Sequence, residues 1–326
     1  MIVLNAQENQ HEQFSHDQHL LLAMDDFAYL VEGYQELLPV GGGIESHLGD
    51  TLMDTLAHPG SLVRAQLAYG ILQNHGVNKK RSLHLAIALE YFHSASLIFD
   101  DLPAMDHATI RRGGPCPHVE YGEAAAILGA LALVNQGYAL LWNVIGSLPA
   151  RQNQAAAELI TSCLGIGGIL NGQAMDLHFQ NSTQSMEDVI QVAKGKTVTL
   201  LRLSIMLPAI VAGEDDNETL ELLESLSTSW GLSYQIMDDF KDCLMSTFET
   251  GKSPCMDWKR DRPNLPIKMG YLGAMETLGS LFKDAETTVI ALGKRKKAWT
   301  VLDRMHAKLS AEQHRISESV EARLCI

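Results

Sequence analysis

The chain has 326 residues, 46% hydrophobic and 20% charged, with a formal net charge of −14, enough for one large domain or two small ones. That charge argues against a nucleic-acid or anionic-membrane partner, so an anionic ligand here needs metal ions or a local cationic patch. Five scattered cysteines (Cys116, Cys163, Cys243, Cys255, Cys325) include no CxxC pair, which argues against a disulfide framework or zinc site and points to a reducing cytoplasm.

The N-terminal stretch MIVLNAQENQHEQFSHDQH lacks the basic-then-apolar layout of a signal peptide, and residues 1–17 read as a mobile tail. Residues 18–326 read as one all-α domain, a large helical bundle. Helices are predicted near 18–38, 47–57, 61–75, 79–101, 120–147, 151–180, 186–212, 216–243, 268–292 and 296–318. Apolar residues recur at three- and four-residue steps in LEYFHSASLIF and IQVAKGKTVTLLRLSIMLPAIVAG. No run of alternating β-branched residues suggests a sheet. The segment EAAAILGALALVNQGYALLWNVIGSL is apolar nearly all round, as befits a helix at the centre of a bundle. No segment approaches ~20 uninterrupted apolar residues, so no membrane span is predicted.

The fourth predicted helix ends in acids. SASLIFDDLPAMDHATIRRGGP carries Asp100, Asp101 and Asp106, then Arg111 and Arg112. Pro103 interrupts the helix, which lets Asp106 swing back beside Asp100. A second cluster, SYQIMDDFKDC, carries Asp238, Asp239 and Asp242; Asp238 and Asp242, four apart, share one helix face. Carboxylates held that close raise one another's pKa unless a cation lies between them. One such cluster reads as a solvated helix end. Two of them, each closing an apolar helix beside cations, read as facing carboxylate walls for hard divalent ions such as magnesium, which takes oxygen ligands and substrate phosphates.

These residues resemble the trans-isoprenyl diphosphate synthases. DDLPAMD with RRGGP is similar to the family's first aspartate-rich motif, and YQIMDDFKD to its second. NGQAMDL (Gly172, Gln173, Asp176), GKT (Lys196, Thr197) and TGKSPCMDWKRDRPNLPI (Lys252, Asp257, Arg262) follow in family order. The resemblance implies a bundle around a deep apolar pocket, with roughly three Mg²⁺ ions bridging Asp100, Asp101, Asp106, Asp238, Asp239 and Asp242 to an allylic diphosphate. It assigns Arg111, Lys196, Lys252 and Arg262 to diphosphate charge, with Thr197 and Gln235 hydrogen-bonding nearby. Isopentenyl diphosphate is the implied second substrate, and a homodimer the implied assembly. Its site falls on HPGSLVRAQ, where Ser61 stands at the family's lysine position and Arg64 keeps the arginine, with His93 and Arg112 gripping the same diphosphate. Ala95 and Ser96, one turn before Asp100, are small and imply a product of about twenty carbons, with fifteen next. His107 replaces an acid commonly found just after the third aspartate. Because of Ser61, a terpene synthase that ionises one prenyl diphosphate without isopentenyl diphosphate stays open. A non-catalytic partner subunit is the third alternative, and six retained aspartates argue against it.

Overall fold

The computed structural model describes residues 21–179, 185–244 and 263–324. Helices dominate: α1 (Met24–Glu36), α2 (Ser46–Ala57), α3 (Val63–Asn74), α4 (Lys79–Asp101), the short α5 (Pro117–Glu120), α6 (Glu123–Ile145) and α7 (Ala150–Leu164). They continue as α8 (Asn171–Leu177), α9 (Met186–Ala193), α10 (Thr199–Val211), α11 (Asn217–Leu244), the short α12 (Leu265–Met269), α13 (Tyr271–Arg295) and α14 (Val301–Leu324). The all-α expectation holds, with one exception among the described residues: a two-residue antiparallel ladder pairs β1 (Ile110–Arg111) with β2 (Gly114–Pro115).

Helix α4 is the axis of the bundle. Asn78 caps it by accepting the Lys80 and Arg81 N–H groups, at 3.0 and 3.4 Å, which supplies acceptors that a helix start otherwise lacks. Its sides pack on α1, α3, α6 and α10. Against α6 the approach is close: a Cβ on Gly137 would lie 2.9 Å from the Phe92 ring. One continuous cluster of buried apolar side chains runs from Leu21 to Val320, with Tyr69, Tyr91, Trp230 and Trp299 among its largest members.

Two helices predicted as unbroken are interrupted. The 151–180 prediction splits into α7, a π turn at Ile166–Leu170 and α8; the 186–212 prediction splits into α9, a π turn at Lys194–Val198 and α10. Apolar periodicity runs through the second break, so the pattern could not reveal it, whereas the first carries GIGG, a break signal that the periodicity reading passed over. The start of α8 crosses the second π turn, with Gly172 against Gly195. A Cβ on Gly172 would sit 2.3 Å from the Gly195 carbonyl carbon, and one on Gly195 would sit 2.6 Å from the Gly172 Cα. Only glycine permits that crossing.

The reading on membrane spans needs correction. Lys79–Asp101, Glu123–Ile145 and Ala150–Leu177 are long and apolar enough to cross a membrane by length and composition. Counting only uninterrupted apolar residues missed them, because alanine, glycine and an occasional polar residue leave a helix apolar on average. Most of the first window is buried inside the bundle, and less than half of each of the others.

Candidate active site

The first acid motif is shaped by its proline break. After α4 the chain makes a tight turn: the Asp106 N–H donates to the Asp100 carbonyl at 2.8 Å, and the His107 N–H to the Leu102 carbonyl at 2.9 Å, with His107 at φ 47°. Asp106 therefore returns beside Asp100, as the sequence implied. The β1–β2 hairpin turns through Arg112 and Gly113, both at positive φ (54° and 79°), the conformation that two-residue hairpin turns favour.

That hairpin sends the adjacent arginines apart. Arg111 clamps Asp101 with two bonds of 2.6 Å, Nε to Oδ2 and Nη2 to Oδ1. Asp101 is 1% exposed. Burial opposes the charge on Arg111, yet the Asp101 carboxylate beside it still raises its pKa. Arg112 instead donates to the His58 carbonyl at 3.0 Å. Arg111 borders the cavity, whereas Asp101 is not among the residues lining it. The paired cations of the sequence thus have different anchors.

The crossing at Gly172 and Gly195 builds the centre of the site. It places Gln173 2.6 Å from Asp100 Oδ1 and Lys196 Nζ 3.3 Å from the same oxygen, with Nζ also 2.8 Å from Asp176. Burial pushes the Asp100 carboxyl up, but Lys196, Arg111 and Gln173 outweigh it and hold the group below its ordinary value. Burial likewise opposes the Lys196 ammonium, and Asp100 with Asp176 keeps its pKa well above the lysine range. On the next residue, Thr197 hydrogen-bonds Gln235 of α11, and the Gln235 amide donates to Asp239 Oδ1 at 2.6 Å. One π turn therefore joins both acid motifs, a placement in keeping with the frequent use of such turns at functional sites.

In the second motif the middle aspartate is again an anchor. Asp239, 2% exposed, accepts Gln235 on one oxygen and the Leu265 N–H, at 2.8 Å, on the other. That second bond ties α11 to the start of α12, where Asn264 caps the helix by accepting the Ile267 N–H at 3.0 Å. Asp238 and Asp242 line the cavity one turn apart.

A cavity of about 1150 Å³ unites these parts. Asp100, Asp106, Asp238, Asp239 and Asp242 border it together with Arg64, His93, Arg111, Lys196, Thr197 and Gln235. Phe92, Phe99, Val134, Tyr138 and Leu200 supply apolar wall. Ala95 and Ser96 both face into it, and next along α4 Phe92 meets Tyr138 of α6 edge-on, with ring centroids 4.9 Å apart. Ser61 is exposed and, like Arg112, lies outside the lining. Lys252, Asp257 and Arg262 fall outside the described residues, as does all of the 1–17 tail.

Among the described residues no three His, Cys, Asp or Glu side chains form a group ready to hold a metal ion alone. The donors still suit magnesium. The cavity-facing acids offer only carboxylate oxygens, and a cation, Lys196, already lies against Asp100. A hard ion that keeps waters and shares substrate phosphates needs only one or two carboxylates from each wall.

Sequence reasoning missed several contributors. Glu312, Arg315 and Ile316 of α14 border the same cavity, and Glu312 pairs with Lys241 at 2.7 Å and with Arg315 at 2.8 Å. No motif marks these residues. Glu90 had a signal, a lone acid inside the apolar run IALEYF, and it is 2% exposed.

The polyprenyl synthetase family model matches residues 45–289. The chain is 34% identical over 224 residues to the geranylgeranyl diphosphate synthase of Pantoea ananas, covering 68% of this chain and 72% of that one. It is 30% identical over 245 residues to the farnesyl diphosphate synthase of Escherichia coli, covering 75% and 82%. In fold it resembles a Helicobacter pylori geranyltransferase complexed with magnesium and isoprenyl diphosphate, with a TM-score of 0.75 at 23% identity over 89% of this chain and 98% of that one. A Thermotoga maritima geranyltranstransferase gives a TM-score of 0.69 at 26% identity, over 90% and 98%.

Proposed function

This chain belongs to the polyprenyl synthetase family and is a prenyltransferase, and we propose that it condenses an allylic prenyl diphosphate with isopentenyl diphosphate in a magnesium-dependent reaction. The observation that carries the proposal is the single π turn whose Lys196 reaches Asp100 and whose Thr197 reaches Asp239 through Gln235. It sets both acid motifs on one apolar cavity.

Asp100 and Asp106 on one wall, and Asp238 and Asp242 on the other, would hold the magnesium ions. Bound there, Mg²⁺ supplies positive charge that stabilises the departing diphosphate. Asp101 acts one layer behind, fixing the Arg111 hairpin, while Asp239 borders the cavity and also fixes the α11–α12 corner. The allylic carbon–oxygen bond breaks with its electron pair going to the diphosphate. Lys196 and Arg111 hold that growing negative charge, and Thr197 and Gln235 orient it. The double bond of isopentenyl diphosphate attacks the allylic carbon to form the new carbon–carbon bond, and the released diphosphate takes the proton lost. Phe92, Phe99, Val134 and Leu200 keep water from the cation meanwhile.

A second diphosphate site favours elongation over a terpene synthase. Arg64 and His93 border the same cavity, and the Arg64 Nε is buried without a hydrogen-bond partner among the described residues. An orphaned buried donor calls for a ligand. Ala95 and Ser96 leave room for chain growth, and the Phe92–Tyr138 pair ends it, which supports a product of about twenty carbons, with fifteen next. A homodimer is supported by Ile127, Leu128 and Trp142 of α6, large apolar side chains left exposed, which an interaction face would cover. Cytoplasmic residence is supported by the five scattered cysteines, which include no CxxC pair. Incubation with Mg²⁺ and farnesyl diphosphate, with and without isopentenyl diphosphate, tests the reaction. A longer diphosphate formed only with isopentenyl diphosphate supports it; a hydrocarbon or alcohol from the allylic substrate alone rejects it.

A further inference from the structure

Helix α3 starts without a cap of its own. Leu62, just before it, has left-handed backbone (φ 46°) and offers no side-chain acceptor to the first turn, where N–H groups lack intrahelical partners. The acceptor comes from 25 residues away. Glu90 of α4 takes the Ala65 N–H at 2.9 Å and also the Arg64 N–H.

Arg64, whose backbone this carboxylate holds, sends its side chain into the cavity with Nε unpartnered among the described residues. Arg112 grips the same turn from the other side. It donates to the His58 carbonyl, and its guanidinium covers Gly60 so closely that a Cβ there would lie 2.6 Å from Cζ. Burial raises the Glu90 carboxyl above its ordinary value, and Arg64, then the two N–H bonds, then Arg112 counter this only in part. These two arginines are the cations that the family resemblance assigns, with His93, to a second diphosphate.

We infer that Glu90 is a positioning residue for the isopentenyl diphosphate site: it caps α3 so that Arg64 is aimed into the cavity before ligand arrives. The inference rests on the two-substrate reading of the cavity. A carboxylate near an anion site also repels the anion, but Glu90 does not border the cavity and its acceptance of two backbone N–H groups fixes its direction. Positioning therefore outweighs repulsion, because a misaimed Arg64 loses a charge-assisted contact outright.

The test compares wild type, Glu90→Gln and Glu90→Asp as full-length enzymes with Mg²⁺, farnesyl diphosphate and isopentenyl diphosphate. The Gln variant keeps one acceptor oxygen and loses the charge and the second acceptor; the Asp variant keeps both at shorter reach. The KM for isopentenyl diphosphate rises about fivefold or more in the Gln variant and less in the Asp variant, while the KM for farnesyl diphosphate stays within about twofold. An unchanged or lowered KM for isopentenyl diphosphate, or equal shifts in both constants, overturns the inference. A wild type with no isopentenyl-dependent elongation overturns the two-substrate reading and this inference with it. A wild type that elongates beside a Gln variant of unaltered constants overturns the role of Glu90 alone.

Discussion

Replacing Lys196 with Gln probes the centre of the site. Its ammonium bridges Asp100 and Asp176 at 3.3 and 2.8 Å, with side-chain exposures of 28% for the lysine and 16% and 8% for the acids. Removing one partner of a buried pair costs about 3–5 kcal/mol, and partial exposure places this case near the lower end, about 3 kcal/mol. With about 2.1 cal/mol/K of unfolding entropy per residue over 326 residues, that loss lowers Tm by about 4 °C. Catalysis suffers separately. A lost charge-assisted contact to the departing diphosphate is worth about 1.5–3 kcal/mol, roughly ten- to a hundredfold in kcat/KM for the allylic substrate. Thermal unfolding and steady-state kinetics on the same preparation measure both. A variant within twofold of wild-type kcat/KM, with unchanged Tm, would show that the Asp100–Lys196–Asp176 arrangement is incidental and refute the reasoning.

Ala95→Phe fills the cavity one turn below Asp100 and should shorten the product by one isoprene unit; unchanged product length rejects that wall as the growth path. Ser61→Lys adds a cation at the rim of the Arg64 turn and should lower the KM for isopentenyl diphosphate about tenfold, one charge-assisted contact being worth about 1.5–3 kcal/mol; an unchanged KM removes Ser61 from the site. The depressed Asp100 carboxyl contributes stability that is present above its unfolded pKa, about 3.9, and lost as pH falls through its folded value. The raised Lys196 ammonium contributes stability that is present below its unfolded pKa, about 10.4, and lost as pH rises through its folded value. The Tm gap between wild type and the Lys196→Gln variant should therefore stay flat from about pH 5 to 9 and shrink in acid.

The parts of the molecule legible in sequence were those governed by local rules. Helix α4 has the predicted bounds 79–101 because Asn78 caps its start and Pro103 prevents its continuation. The return of Asp106 to Asp100 came from the same proline. The features that stayed hidden depend on contacts between distant segments. The crossing of Gly172 and Gly195 lies beside breaks in two predicted helices, the second of which keeps its apolar rhythm throughout. The hairpin that turns Arg111 back onto Asp101 uses only two residues per strand, too few to leave a pattern. Its consequence is that both Asp101 oxygens meet Arg111 outside the cavity lining, whereas Asp239 borders the cavity while accepting from Gln235 and Leu265. Glu90 shows the converse, an acid visible in an apolar run whose purpose appeared only when α3 was found without a cap.

Calorimetric titration of Mg²⁺ into the protein with inorganic diphosphate, for wild type, Asp100→Asn, Asp238→Asn and the double variant, tests most directly whether the two acid walls share one metal–diphosphate cluster. The account predicts that either single change removes most of the diphosphate-dependent Mg²⁺ uptake and that the double variant loses little more, the strong coupling of residues serving one site. Two independent, additive losses, or uptake that survives either change, would contradict it.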